Sequence, residues 1–205
     1  MSPETIQRRV PDPDVRRDEW RFARSSVAIL LIAGTATTIL AMTERLRVGL
    51  EPIGHAMLLL QLVLVVVGFE AYYYAIHRLL HTRMLFRRVH AVHHRSKSPR
   101  LLSALSWHPV EAMLIAGYLP VVMAVTELHL GAIASASVFL STSIALAHSG
   151  REIVPPALHR VPVLGWWVTP LVHDAHHARS DVNYGASLNL FDRLLGTFRA
   201  PEEAR

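Results

Sequence analysis

The chain has 205 residues, of which 51% are hydrophobic and only 18% charged, with a mean hydropathy of +0.28 and a formal net charge of +5. The length fits one domain, and a balance this apolar fits a small integral membrane protein better than a soluble one. With no cysteine, disulfides, thiolate-ligated haem, iron–sulfur clusters and cysteine nucleophiles are excluded. The positive charge is almost all arginine that flanks apolar stretches without interleaved aromatics, which points to a membrane and away from nucleic acid.

Residues 1–24 read as a polar N-terminal tail, with six arginines, Pro3, Pro11 and Pro13, and without the early apolar core of a cleavable signal peptide. Residues 25–205 read as a single membrane-embedded domain. A first span, 25–42, carries no charge and has about the length that a bilayer core requires. A second, 55–76, contains one acid, Glu70. Residues 77–107 are basic and histidine-rich. A third span, 109–126, and a fourth, 132–147, are joined by so short a link that they must form a hairpin. Pro120, Gly117, Gly131 and several serines in them suit close helix packing, and they also suit buried or re-entrant helices. Residues 148–205 are polar, with prolines at 155, 156, 162 and 170. Trp166 and Trp167 are interface anchors or a core pair. The expected fold class is all-α integral membrane: about four transmembrane helices with a cytosolic, histidine-rich helical cap built from 77–107 and 148–205.

Charge predicts the topology. Of the 21 Lys and Arg, six precede the first span, seven lie between spans two and three, and six follow span four; only Arg45 and Arg47 are in the first link. The positive-inside rule then puts both termini in the cytoplasm. The same topology places eleven of the thirteen histidines on the cytoplasmic side, leaving His55 and His129 outside as ordinary interfacial residues.

Those histidines cluster. His77 and His81 are four apart; His90, His93 and His94, and again His173, His176 and His177, stand at i, i+3 and i+4. On a helix each set shares one face, so each could aim two or three ring nitrogens at one point. One HxxxH alone would be an ordinary surface pattern, but two HxxHH sets and an HxxxH together point to metal bound through nitrogen. Eight imidazoles exceed one tetrahedral ion and suit two metals. His148, at the mouth of the fourth span, is a ninth candidate; His108 is the best choice for a tenth and His159 the poorest. Glu70, seven residues before His77 and on its face, is expected to orient a ligand ring; the alternative is a snorkelling or protonated acid. Glu111 has the same role or favours a helix N-terminus. Tyr72, Tyr73 and Tyr74 read as packing or interface residues.

The strings EAYYYAIHRLLH, HAVHH, WHPVE, HSG, HDAHH and NYGASLNLFDRLLGTF resemble the fatty acid hydroxylase / sterol desaturase superfamily of membrane non-haem di-iron enzymes. The likeness covers about residues 66–199. It implies two non-haem iron ions held by His77, His81, His90, His93, His94, His173, His176 and His177. It also implies O2 as co-substrate and hydroxylation of an unactivated C–H bond, or desaturation, in a lipid-like substrate. Two departures stand out: the third box offers only His148 where some members have a paired HxxxH, and Glu70 stands where the family often has Asp. Asn183, Tyr184, Gly185 and Asp192 match the tail signature, with roles in cap structure or behind the ligands.

Imidazole also suits zinc and copper, so iron comes from the resemblance and not from the spacing. No GxGxxG and no cytochrome b5-like HPGG segment is present. Flavin and haem are therefore not expected in this chain, and electrons would come from a separate reductase or ferredoxin. Three rivals remain. A cytochrome b would use isolated histidines, which the adjacent pairs disfavour. A zinc peptidase would want HExxH, which is absent. A non-catalytic metal transporter or sensor would place its ligands in mid-membrane.

Overall fold

Asp12 starts a helix far longer than the first apolar span. Its side chain accepts from the Asp14 N–H at 2.8 Å, Pro13 follows at the first helical position, and together they supply the capping oxygen and preset φ that open a helix. This helix, α1, runs Pro13–Met42. The tail expected over 1–24 is therefore helical from residue 13 onward. The computed structural model describes residues 6, 12–97, 99–155, 161 and 163–200; His159 lies outside the described residues.

Helix α2 runs His55–Leu80, through His77, with His81 as its C-cap. Short pieces follow: α3, Arg83–Leu85, a π-helical turn over Phe86–His90, and α4, Ala91–His94. After a loop come α5, Pro109–Val125, and α6, Leu130–Ala147. The C-terminal part carries α7, Pro170–Ala178, and α8, Leu190–Leu194. Helices α1, α2 and α6 are long and apolar enough to cross a membrane, and the apolar α5 is shorter. This is the expected all-α integral membrane fold with a histidine-rich helical region, with α5 the weakest span. Leu31, Ile32, Leu60, Leu64, Val121 and Val138 stay exposed along the spans, as bilayer-facing side chains do.

The apolar core joins α2 to α5 and α6: Val65, Val66, Phe69 and Tyr73 pack with Met123 of α5 and with Ile133, Ala136 and Leu140 of α6. At the end away from the clustered histidines, strands β1 (Val48–Gly49) and β2 (Leu128–His129) pair in parallel, Val48 opposite Leu128. That bridge ties the α1–α2 link to the α5–α6 hairpin. His129 accepts from the Gly131 N–H as the cap of α6, and His55 opens α2. Both stand at the end opposite the clusters.

At the other end, α1 grips the loop between α4 and α5. Buried Glu19 accepts from the Ser96 hydroxyl and pairs with Arg100, Asp18 pairs with Arg95, and the Ser26 hydroxyl donates to the Trp107 carbonyl. The tyrosines pack as expected: the Tyr72 hydroxyl donates to the Leu114 carbonyl and Tyr74 meets the Thr197 hydroxyl. Trp166 is exposed while Trp167, partly buried, bridges to Leu188, so the two tryptophans are not a core pair.

Candidate metal centre

The clustered histidines meet in two groups. One holds His77, His81, His90, His94 and His176; the other holds His93, His148, His173 and His177. Within each group the ligating atoms offered all lie within 4.8 Å of one another. Two of the three rings in each HxxHH set converge on one point, and the third turns to the other group. In both sets the triplet is divided: His90 and His94 go to the first group and His93 to the second, while His173 and His177 go to the second and His176 to the first. The reason is helical. Residues four apart superimpose on one face, whereas the third residue is offset by about a third of a turn from one of them and aims at a neighbouring point. HxxHH is thus a device for serving two adjacent centres from one turn of helix. The π turn that ends on His90 is the kind of local widening that recurs at functional sites.

Hydrogen bonds fix which nitrogen of several rings points inward. His77 Nδ1 donates to the Tyr184 carbonyl at 2.7 Å, His176 Nδ1 to the Val182 carbonyl at 2.7 Å and His148 Nδ1 to the Ile144 carbonyl at 2.8 Å. His90 Nδ1 stands 2.9 Å from Glu111 Oε1. A carbonyl or carboxylate oxygen only accepts, so the proton of each neutral ring sits on Nδ1 and its Nε2 bears a lone pair.

Yet His77 Nε2 lies 3.0 Å from His90 Nε2, and His176 Nε2 lies 3.1 Å from His94 Nε2. Between His77 and His90 no hydrogen bond is available, because both inward nitrogens are acceptors. Facing lone pairs are stabilised by a cation between them. Two nitrogens about 2.0–2.1 Å from one ion stand about 2.9 Å apart at a right angle and about 3.3 Å apart at the tetrahedral angle. The Nε2–Nε2 distances in the two groups, 2.9–3.3 Å, fall in that range. The all-imidazole donor set also suits iron, zinc and copper. The residues present therefore fit two metal ions.

Electrostatics prepares the rings to ligate. Burial, and then the neighbouring imidazoles, push His81 down to about 2. Burial likewise lowers His148 to about 4 and His176 to about 3. His93, His94, His173 and His177 are lowered from the ordinary 6.5 by the same pair of causes. Desolvation disfavours the imidazolium. These seven rings are thus neutral at physiological pH, and a metal need not displace a proton from them.

The remaining predicted residues divide. Glu111, buried at the start of α5, lies against His90 as expected of a residue that orients a ligand ring. Glu70 does not touch an imidazole: its two oxygens accept from the Ala186 and Ser187 N–H groups. The correction has a physical reason. The loop after Tyr184 brings two buried N–H groups against α2 that need an acceptor, and Glu70 is that acceptor. His108 belongs to neither group; its Nδ1 accepts from the Val110 N–H and caps α5.

Asn183 and Asp192 build the loop that backs the first group. Asp192 accepts from the Tyr184 and Gly185 N–H groups and from the Thr197 hydroxyl. The Asn183 side chain accepts from the Arg199 N–H and donates to the Arg199 and Val172 carbonyls. Asn183 has φ of 57°, a left-handed conformation that Asn tolerates. A Cβ at Gly185 would run into the Leu188 carbonyl. The string NYG therefore aims the Tyr184 carbonyl at His77. The carbonyls of Ile144, Val182 and Tyr184 had no signal in the sequence, since every residue carries one.

The family model described as fatty acid hydroxylase matches residues 62–197, from the middle of α2 past α8. The chain belongs to the fatty acid hydroxylase family. Among curated relatives, methylsterol monooxygenase 1 of Gallus gallus is 29% identical over 128 residues, which cover 62% of this chain and 42% of that protein. Lathosterol oxidase of Homo sapiens is 29% identical over 147 residues, covering 70% and 48%. Very-long-chain aldehyde decarbonylase GL1-1 of Oryza sativa subsp. indica is 31% identical over 138 residues, covering 64% and 22%. The chain spans less than half the length of these relatives. No solved structure matches. Both histidine groups fall within the stretch matched to the fatty acid hydroxylase family, whereas α1 lies outside it.

Proposed function

We propose that the protein is a membrane-bound di-iron oxygenase that hydroxylates an unactivated C–H bond of a lipid-like substrate, with O2 as co-substrate and electrons from a separate donor. The single observation that carries this reading is the pair of adjacent, all-imidazole groups with lone pairs turned inward, in a chain of the fatty acid hydroxylase family. One iron would be held by His77, His81, His90, His94 and His176, and the other by His93, His148, His173 and His177. When bound, the two irons supply the reduction of O2 and the oxidising power to break a C–H bond.

The chain's own contribution is orientation and dryness. Glu111 and the carbonyls of Tyr184, Val182 and Ile144 hold four rings in the tautomer that presents Nε2 inward. Burial of the rings excludes water from the reacting centre. Cytoplasmic placement of both termini and of the centre follows from the arginine distribution. The single domain expected from residue 25 onward takes in α1 from Pro13, because Glu19 of that helix packs against the loop between α4 and α5. Desaturation rests on the same ligand arrangement and is the alternative reading; relatives named for each chemistry match.

The experiment is anaerobic purification with elemental analysis, followed by mass spectrometry of lipids from expressing and non-expressing cells. About two iron ions per chain and a product one oxygen heavier are expected. A product lighter by two hydrogens means desaturation. Metal uptake without oxygen consumption would overturn the enzymatic reading in favour of a metal carrier.

A further inference from the structure

Residues 13–24 of α1 lie outside the stretch matched to the fatty acid hydroxylase family, and their side chains sort by sign. Of the three acids there, Glu19 is buried against Ser96 and Arg100, and Asp18 pairs with Arg95. Ala23 and Ser26 are buried on the same side as Glu19. The opposite face carries Arg17, Trp20, Arg21 and Arg24, at i, i+3, i+4 and i+7, which is one stripe of a helix. With Ser25, these four line an open groove of about 490 Å³, and Trp20 is 60% exposed. The third acid, Asp14, meets Arg17 at 3.2 Å, but the two side chains are 79% and 78% exposed, and a pair so exposed is weak and readily exchanged. Among the described residues no acid pairs with Arg21 or Arg24.

Two observations set the depth of this stripe. Residues 25–42 carry no charge, so Arg24 is the last cation before the apolar part of α1. The Ser26 hydroxyl donates to the Trp107 carbonyl, two residues before α5 begins. The stripe thus stands where two apolar helices start, the level at which arginine and tryptophan meet lipid headgroups. The same face continues past the stripe. Val27, Leu31 and Ile32, at i+3, i+7 and i+8 from Arg24, are all exposed.

A ligand that fits both parts has an anion at one end and hydrocarbon at the other. Guanidinium forks take phosphate oxygens two at a time, the Trp20 ring suits the polar–apolar boundary, and the aliphatic side chains beyond it take an acyl chain. An acidic protein would use the arginines alone. A choline headgroup would bring its own cation against them. We propose that this face of α1 binds one anionic phospholipid, its phosphate on Arg21 and Arg24 and its chains along Val27 and Leu31. The proposal involves neither metal nor turnover, so it stands apart from the oxygenase reading.

The test uses the full-length, metal-loaded protein in nanodiscs of phosphatidylcholine. Two photoreactive lipids are compared at equal mole fraction, phosphatidylglycerol and phosphatidylcholine, each with the same diazirine-bearing acyl chains, and labelled peptides are mapped by mass spectrometry. Each arginine beside an anionic headgroup contributes about fivefold. Phosphatidylglycerol is therefore expected to label the α1 peptide holding residues 27–32 at least about tenfold more than phosphatidylcholine does. Arg21→Gln combined with Arg24→Gln is expected to abolish that excess. Arg45→Gln combined with Arg47→Gln, at the other end of α1, is expected to keep it. Metal content and melting of each variant verify folding. Equal labelling by the two lipids, or an excess that survives the loss of Arg21 and Arg24, would overturn the proposal. Labelling of α1 by neither lipid would overturn it as well, and would leave this face to an acidic protein or a second copy of the chain.

Discussion

The two histidine groups differ in what holds them. In the five-membered group, three rings are fixed from behind by groups remote in sequence: His77 by Tyr184, His90 by Glu111 and His176 by Val182. In the four-membered group, His148 is fixed by a carbonyl of its own helix, while His177 Nδ1 is buried without a hydrogen-bond partner among the described residues, as is His94 Nδ1 in the five-membered group. One centre thus depends on the C-terminal loop and α5, and the other on α6 and α7 together with His93 of α4. Pre-organisation through the supporting contacts sets metal affinity as much as the ligands do. The lesson is that one sequence motif, used twice, makes two centres with separate vulnerabilities.

The strongest way to break the comparison is to remove a ligand from each side. His77→Ala should lower metal content from about two ions per chain to about one, retaining the four-membered site, and His173→Ala should do the converse. Elemental analysis with a spectroscopic signature for each variant separates them, and oxygen-dependent turnover should vanish in both. Loss of both ions from either variant would show that the two centres form only together.

Acid should weaken metal-free protein through both groups at once. Seven rings outside the spans have folded-state values below the ordinary 6.5, with His148 at about 4, His176 at about 3 and His81 at about 2. Between those values and 6.5 the unfolded chain binds more protons than the folded one, so stability falls as pH drops below 6.5 and levels off only beneath the folded values. Chemical denaturation across pH 4–7 checks the sign; metal-loaded protein should shift the fall to lower pH.

Gly185→Ala tests the loop-dependent centre alone. The added methyl meets the Leu188 carbonyl, and the overpacking costs about 1–3 kcal/mol. Displacement of Tyr184 should lower metal occupancy of the five-membered group first. A gentler version is Glu111→Gln, which weakens the charge-assisted contact to His90. It should cost about 10–100-fold in affinity at that centre, with the other unchanged in a metal titration. The smallest effect is expected for His108→Ala. Loss of the α5 cap costs about 1 kcal/mol by thermal melting, with metal content intact at both centres. A lost ion there would restore His108 as a ligand.

Much of this was legible in advance. The spans of α2, α5 and α6 could be read to within a few residues because unbroken apolar runs and short polar links leave little else for the chain to do. Eight of the nine histidines that converge could be named because helical spacing survives from sequence to helix, and the ninth, His148, from its place at the end of the fourth span. The start of α1 was hidden because arginines between residues 8 and 24 look like a tail until Glu19 is seen buried against Ser96 and Arg100. Glu70 misled for a related reason. Its phase matches that of His77, but phase gives the face and not the partner, and the partner is a loop more than a hundred residues away.

What the amino-acid order determined on its own is the class of the protein, its helices, and the supply of imidazoles on one side of them, since these follow from local periodicity and from transfer of side chains out of water. What only the folded chain decided is how the triplets divide between two centres and which nitrogens turn inward. Each of those depends on backbone carbonyls and helix faces brought together from distant stretches, and no local pattern in the chain encodes them.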